Sequence, residues 1–252
     1  MRILFFTKPK KHTLDCLKFL VQTGADICGV VIHDKDNYIN TEFVDYCMKQ
    51  NIVIYDGDDV YNHIDKYRDD LDAVFSNTYP QLIKDDVINL ASKGGFNFHA
   101  APLPEYKGVF GFNFAIYNRE KEYGVTCHKL SNQFDKGDIV EVVRFTIDTK
   151  SITVKELVQK SEDYLFELFK KIYYILADGK PFDTVKQEGG HYYSRKYFEE
   201  LKKINDTDSE EEIERKIRAF WYPPYEGAYT IINGKKYTLI DEKMLIKVNE
   251  NE

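Results

Sequence analysis

The sequence predicts an α/β fold: a Rossmann-like, mostly parallel sheet with helices on both faces, plus a small β-rich C-terminal module. Three observations predict it. The first half of the chain alternates short apolar runs with stretches of helical periodicity. Those runs are continuously apolar, the pattern of strands covered on both faces by crossover helices. Near the end, two β-rich runs flank Asn233-Gly234, a strong hairpin signal.

The chain opens with a strand over Arg2–Thr7, after which Leu14, Leu17, Leu20 and Val21 recur at helical spacing up to Gly24. Residues 27–32 read as the next strand, 41–49 as a helix, 52–55 as a strand and 60–67 as a helix. A strand over 73–76 and a helix over 82–91 follow. Ligands of such open sheets bind beyond the carboxyl ends of the strands, which is where Thr7, His33, Asn77 and His99 would lie. The first strand runs into Lys8-Pro9-Lys10-Lys11 and not into Gly-x-Gly-x-x-Gly. That disfavours a dinucleotide site or a P-loop, because without those glycines the backbone cannot closely approach a pyrophosphate.

Phe96-Asn97-Phe98-His99 alternates apolar and polar residues. As a strand it points Asn97 and His99 one way and packs Phe96 and Phe98 behind them. Pro102, Pro104 and Lys107-Gly108 end it, and a strand over 123–130 then runs into a polar loop with Asp135 and Asp138. Beyond a strand over 139–147, Thr153-x-x-Glu156 is a capping box. It starts a long helix with Leu157, Leu165, Leu168, Ile172 and Ile175 on one face, closed by Gly179. The polar, acidic stretch 205–212 divides a large domain (1–204) from a small module (205–252). Ser209-x-x-Glu212 caps a helix reaching Arg218, and strands over 228–232 and 236–240 complete the module.

Lys+Arg 35 against Asp+Glu 42 leaves a net charge of −7, which argues against a nucleic-acid partner. The four cysteines are scattered, without a Cys-x-x-Cys pair or histidines at ligand spacing, so reduced thiols and no metal site are expected. Neither a signal peptide nor an apolar run of spanning length is present, so a soluble, cytoplasmic protein with no membrane association is expected.

The chemistry concentrates in residues 95–138, where an amide, an imidazole and a carboxylate could meet. Acyl transfer to an amine needs such a set, since an oxyanion must be stabilised and a proton moved. On the residues alone, a structural histidine and a solvated loop acid are the alternatives.

The stretch Asn97-Phe98-His99-Ala100-Ala101-Pro102-Leu103-Pro104-Glu105-Tyr106-Lys107-Gly108 resembles the signature of the folate-dependent formyltransferases. This is the family of methionyl-tRNA formyltransferase and glycinamide ribonucleotide transformylase. Phe134-Asp135-Lys136-Gly137-Asp138-Ile139 is similar to the family's second motif. The resemblance runs from the first strand to about residue 147, and residues 218–229 look like the start of the family's C-terminal barrel. Ala101 stands where the transfer-RNA enzyme usually has Ser, Lys107 where it has Arg, and the tail is short. With Trp221-Tyr222-Pro223-Pro224-Tyr225, these features resemble the sugar N-formyltransferases, which act on nucleotide-linked amino-dideoxyhexoses.

The resemblance implies 10-formyltetrahydrofolate as donor and a dTDP-sugar as acceptor, such as dTDP-4-amino-4,6-dideoxyglucose or a 3-amino relative. It places the reaction in surface polysaccharide (O-antigen, lipopolysaccharide) biosynthesis and implies a homodimer. It makes Asn97, His99 and Asp135 catalytic. It assigns Asn77, Thr78, Tyr79, Gln81, Leu82, Ile83, Phe134 and Asp138 to the folate. The residues expected to hold the acceptor are Lys8, Lys10 and His33, at strand ends suited to phosphates, Pro104, Tyr106 and Lys107 of the motif, and Trp221, Tyr222 and Tyr225, whose rings suit stacking on a base. The competing expectations are a methionyl-tRNA formyltransferase and a catalytically silent nucleotide-sugar-binding module.

Overall fold

The computed structural model describes residues 1–33, 41–67 and 69–242. The strands are β1 (Arg2–Thr7), β2 (Asp26–Ile32), β3 (Ile54–Asp56), β4 (Ala73–Asn77), β5 (Gly95–His99) and β6 (Tyr106–Gly108). They continue with β7 (Glu122–Lys129), β8 (Ile139–Thr146), β9 (His191–Tyr193), β10 (Tyr229–Ile232) and β11 (Lys235–Thr238). The helices are α1 (Lys11–Gln22), α2 (Thr41–Lys49), α3 (Asp85–Ile88), α4 (Gly111–Tyr117), α5 (Val154–Ala177), α6 (Arg195–Leu201) and α7 (Glu210–Phe220). Seven strands form one sheet in the order β3-β2-β1-β4-β5-β7-β8, the first five parallel and the last two antiparallel. This is the Rossmann-like, mostly parallel sheet expected, with a small antiparallel strand pair, β10–β11, near the C-terminus.

Because side chains alternate along a strand, the continuous apolar runs feed two cores at once. Ile3 and Phe5 of β1 face one, with Phe75, Phe96, Phe98 and the buried face of α5. Leu4 and Phe6 face the other, with Val31, Tyr55, Tyr67, Val74 and Val87. Helix α5 is the largest apolar cover. Its Thr153–Glu156 capping box forms as expected, and Phe169 lies against Phe98 (ring centroids 4.6 Å apart), Phe75 (5.4 Å) and Phe5 (6.1 Å).

Some expected elements differ. The helix over 60–67 is a 3-10 helix, Gly57–Tyr67. The helix over 82–91 shrinks to the single turn α3. Ser92 N–H bonds the Leu71 carbonyl and Lys93 N–H the Asp72 carbonyl, so the chain has to leave the helix early to enter β5. Short β6 and β9 pair in parallel away from the main sheet, and α4 and α6 flank them; such short pieces carry too few residues for a periodic signal. Helix α7, beyond the expected 204/205 division, packs against the larger part: Asn113 on α4 donates to the Ala219 carbonyl at 2.8 Å, and Phe220 is fully buried. The hairpin turn holds Asn233 at φ 50 and Gly234 at φ 77, the left-handed pair that a two-residue turn of this hand requires. Residues 243–252 of the expected module lie outside the described residues. Among the described residues no helix is long and apolar enough to cross a membrane.

Truncating Phe169 to Ala removes the ring shared by β1, β4 and β5, and should lower unfolding stability by about 3–5 kcal/mol in urea titration. A loss below about 1 kcal/mol would contradict this account of the core.

Candidate active site

Pairing of β7 antiparallel to β5 sets Asn97 opposite His128 and His99 opposite Thr126. Asn97 and His99 share one face, as the alternation predicts, while Phe96 and Phe98 are buried behind them. The antiparallel partner changes how the carboxylate arrives. Leu130 N–H bonds the Gly95 carbonyl, so the loop after β7 leaves beside the start of β5 and not beside its end. It then folds back along the strand and delivers Asp135 to His99.

Asp135 adopts the left-handed region (φ 53), which an aspartate tolerates better than most residues. The return crosses Gly137 so closely that a Cβ there would sit 1.7 Å from the Lys129 carbonyl oxygen. Only glycine fits. Gln187 fastens the loop, donating through Nε2 to the carbonyls of Asp135 (2.9 Å) and Gly137 (2.6 Å).

The Asp135 side chain, one-tenth exposed, has Oδ1 3.5 Å from His99 Nδ1 and 3.6 Å from His128 Nε2. Its Oδ2 accepts from the Gly108 N–H at 2.8 Å. Burial by itself would push this carboxyl up, but His99, His128 and the Gly108 N–H outweigh it and hold the pKa down at about 2. His99 Nε2 lies 2.8 Å from the Tyr106 carbonyl and donates to it, since a carbonyl can only accept. Asn97 Nδ2 lies 3.0 Å from His128 Nε2, and His128 Nδ1 lies 2.8 Å from the Lys129 carbonyl. His128 was absent from the residues expected in the site. The sequence signal for it is that Thr126 and His128 are polar on one face of an otherwise apolar strand.

These groups open onto a cavity of about 460 Å³, in the range of small-molecule sites. One wall is the loop after β4, with Thr78, Tyr79, Gln81, Leu82 and Ile83, and the facing wall carries Leu130 and Phe134. Val109, Phe110 and Tyr192 line it as well. Thr78 stands at φ 61, unusual for a β-branched residue, and its buried hydroxyl has no hydrogen-bond partner among the described residues. A flat heterocycle with polar edges fits between these apolar walls and that hydroxyl. A cavity of about 680 Å³ between α4 and α7 lacks such a set, and two residues of its wall, Arg119 and Glu211, pair with each other.

Several expected site residues are placed elsewhere. Asn77 is fully buried and turns inward, its Nδ2 3.1 Å from His12 Nε2 and 3.6 Å from Cys16 Sγ, so its side chain is not at the cavity. Asp138 does not line the cavity; its carbonyl accepts the Lys129 N–H. Lys107 is buried and donates to the Gly189 carbonyl at 2.8 Å, because pairing of β6 with β9 turns it inward, so it is not open to a pyrophosphate. The Tyr106 ring stacks on Tyr193 and its hydroxyl donates to Glu120, leaving only its carbonyl at the site. Pro104, after a cis peptide bond, lies behind this segment. His33 contacts Gln81 (Nε2 to Nε2, 3.3 Å) at the cavity's outer side. Lys8 follows β1, and Lys10 and Tyr222 both feel Glu162 of α5. Trp221 caps α7 with a buried indole N–H that has no partner among the described residues, and Tyr225 is exposed. None of the nine residues expected for the acceptor lines the cavity.

An amide donor, an imidazole and a buried carboxylate at one cavity form a site suited to acyl transfer. The model of the formyl transferase family matches residues 19–170, and that of the formyl transferase C-terminal domain matches residues 197–252. The chain belongs to the formyl transferase family. Several of its structural neighbours are sugar N-formyltransferases. WlaRD, a sugar 3N-formyltransferase solved in the presence of dTDP and 5-N-formyl-THF, has 28% identity and a TM-score of 0.73 over 94% of this chain and 84% of its own. A 4-N formyltransferase from Francisella tularensis shares the fold at TM-score 0.79 and 21% identity, over 96% and 97% of the two chains. An N-formyltransferase from Helicobacter canadensis, solved with folinic acid and dTDP-3-aminofucose, shares it at TM-score 0.72 and 24% identity, over 93% and 85%.

A depressed carboxyl stabilises the fold above its ordinary range near 3.8, and that contribution is lost as pH falls through about 2. Asp135→Asn should therefore cost about 2 kcal/mol at neutral pH, and the deficit should vanish as pH approaches about 2. Denaturant titrations of both proteins across pH 2–7 check this; a deficit unchanged over that range would contradict it.

Proposed function

We propose that this enzyme transfers a formyl group from 10-formyltetrahydrofolate to the amine of a nucleotide-linked amino-dideoxy sugar. The acceptor is dTDP-4-amino-4,6-dideoxyglucose or a 3-amino relative, and the product serves surface polysaccharide biosynthesis in the cytoplasm. The observation that carries the reading is the convergence of Asn97, His99 and Asp135 on a cavity walled by the loop after β4. The dTDP and folate compounds present with WlaRD and the Helicobacter canadensis enzyme support the choice of donor and acceptor. The net charge of −7 speaks against transfer RNA as acceptor.

The folate, bound with its pterin against Thr78, Leu82, Ile83 and Phe134, supplies an activated formyl carbon. Asn97 donates an amide N–H to the negative charge that develops on the formyl oxygen. His99, its ring fixed between the Tyr106 carbonyl and Asp135, stabilises charge and carries protons as the amine bonds to the formyl carbon and the bond from that carbon to the folate N10 breaks. The proton lost by the amine ends on the departing folate nitrogen. Asp135 keeps a negative charge beside the imidazole throughout, because its pKa of about 2 lies far below working pH. The acceptor enters past Val109, Phe110 and Tyr192, whereas Lys8, Lys10, Trp221, Tyr222 and Tyr225 serve only parts of the nucleotide beyond the cavity. Residues 1–204 and 205–252 act as catalytic domain and accessory module, and two copies pair as a homodimer.

Incubation with 10-formyltetrahydrofolate and a dTDP-amino sugar should yield sugar heavier by one formyl group in mass spectrometry. Folate binding without any formylated sugar would make the acceptor wrong. Asn97→Ala should lower kcat by about 10²–10³ and His99→Ala by about 10²–10⁴, with the fold retained by circular dichroism. Near-normal rates in both would remove the mechanism.

A further inference from the structure

Gln187 lies between α5 and β9, 52 residues from Asp135 in the chain, and reaches that residue only through its main chain. Its Nε2 donates to the Asp135 carbonyl at 2.9 Å and to the Gly137 carbonyl at 2.6 Å. The orientation of the amide follows from its partners alone. Both are main-chain carbonyls, which only accept, so the end that faces them carries the hydrogens. The other end, Oε1, is buried with no hydrogen-bond partner among the described residues. An orphaned acceptor costs free energy that a leucine in the same space would not incur, so packing does not account for a glutamine here.

The loop that Gln187 grips has little else to hold it. Asp135 stands at φ 53, a left-handed conformation that persists in a non-glycine residue only where the surroundings fix it. Among the described residues, the main chain of 131–137 makes no hydrogen bond to the main chain of any other segment, and Gln187 is the only side chain from outside the loop that bonds it. Asn132, Gln133, Phe134 and Lys136 are exposed, so burial does not fix the loop either. Gln187 itself is framed on both sides. Val185 exchanges two main-chain hydrogen bonds of 2.8 Å with Ile139, and the Gly189 carbonyl accepts from Lys107. With the Asp135 carbonyl pinned, its side chain keeps Oδ2 2.8 Å from the Gly108 nitrogen and Oδ1 3.5 Å from His99 Nδ1. Released, the left-handed residue relaxes toward an ordinary conformation and swings its carboxylate off His99.

We propose that Gln187 is a positioning residue: its amide pins the carbonyls of Asp135 and Gly137 and so keeps the Asp135 carboxylate at His99. This rests on the reading of Asp135 as the group that fixes His99 for formyl transfer.

The test uses two variants and steady-state formylation of the dTDP-amino sugar. Gln187→Glu keeps the shape of the side chain and removes the amide hydrogens, whereas Gln187→Leu removes the polar end altogether. Each should lower kcat about tenfold to a hundredfold, the scale of a misplacement near 1 Å, while KM for the acceptor changes less than about threefold. In an Asp135→Ala background neither should cost more than about twofold further, because no carboxylate remains to be placed. A second readout is the Asp135 carboxyl ¹³C resonance, followed from about pH 6 to about pH 3. It should be flat in the wild type, whose pKa is about 2, and should titrate inside that window in both variants, as the carboxyl loses His99 and Gly108 and returns toward its ordinary 3.8. Full activity of either variant, an equal loss in both backgrounds, an effect confined to KM, or a carboxyl that stays ionised throughout the window would overturn the proposal. Full activity of Asp135→Ala would instead overturn the reading of Asp135. Should one variant not fold, the other decides.

Discussion

The carboxylate of Asp135, wedged between two imidazoles and the Gly108 N–H, is the constraint on which the site's architecture depends. It ties together three successive strands from two different sheets: β5 through His99, β6 through Gly108 and β7 through His128. The fold-back of the loop after β7, the left-handed backbone at Asp135 and the close pass at Gly137 all serve to bring one charge to that point. A buried charge so placed costs desolvation, and its three partners offset it; the depressed pKa is the signature of that balance.

Around this centre the chain is braced from a distance. The β6–β9 pair and the Lys107–Gly189 hydrogen bond fasten the segment after β5, so that the Tyr106 carbonyl stays in reach of His99. Gln187, just before β9, holds the carboxylate loop by two carbonyls. Residues 187–193 thus act as a strap joining both sides of the site, and Tyr192 of the same strap reaches the cavity.

The parts legible in the sequence were those governed by local periodicity. The buried strands show as apolar runs, the α5 cap as Thr153 and Glu156, and the shared face of Asn97 and His99 as simple alternation. Asp135 was found through its motif, although the antiparallel β7 brings it in by a fold-back that spacing does not reveal. What could not be read were contacts made across long separations. Asn77 is turned inward by His12, 65 residues away, and Lys107 is turned inward by Gly189, 82 residues away. His128 matters only because β7 lies beside β5, a pairing that no local pattern of either strand encodes. The acceptor side was least legible, since the aromatic cluster from Trp221 to Tyr225 lies away from the cavity.

The central claim is that Asn97, held in this lattice, meets a formyl group presented by a folate in the cavity behind the loop after β4. A crystal structure of the protein with 5-formyltetrahydrofolate and dTDP tests it most directly. The account predicts the pterin between Thr78, Leu82 and Phe134, with the formyl oxygen about 2.7–3.1 Å from Asn97 Nδ2. A folate bound elsewhere, or in this cavity with its formyl end turned away from Asn97 and His99, would contradict it.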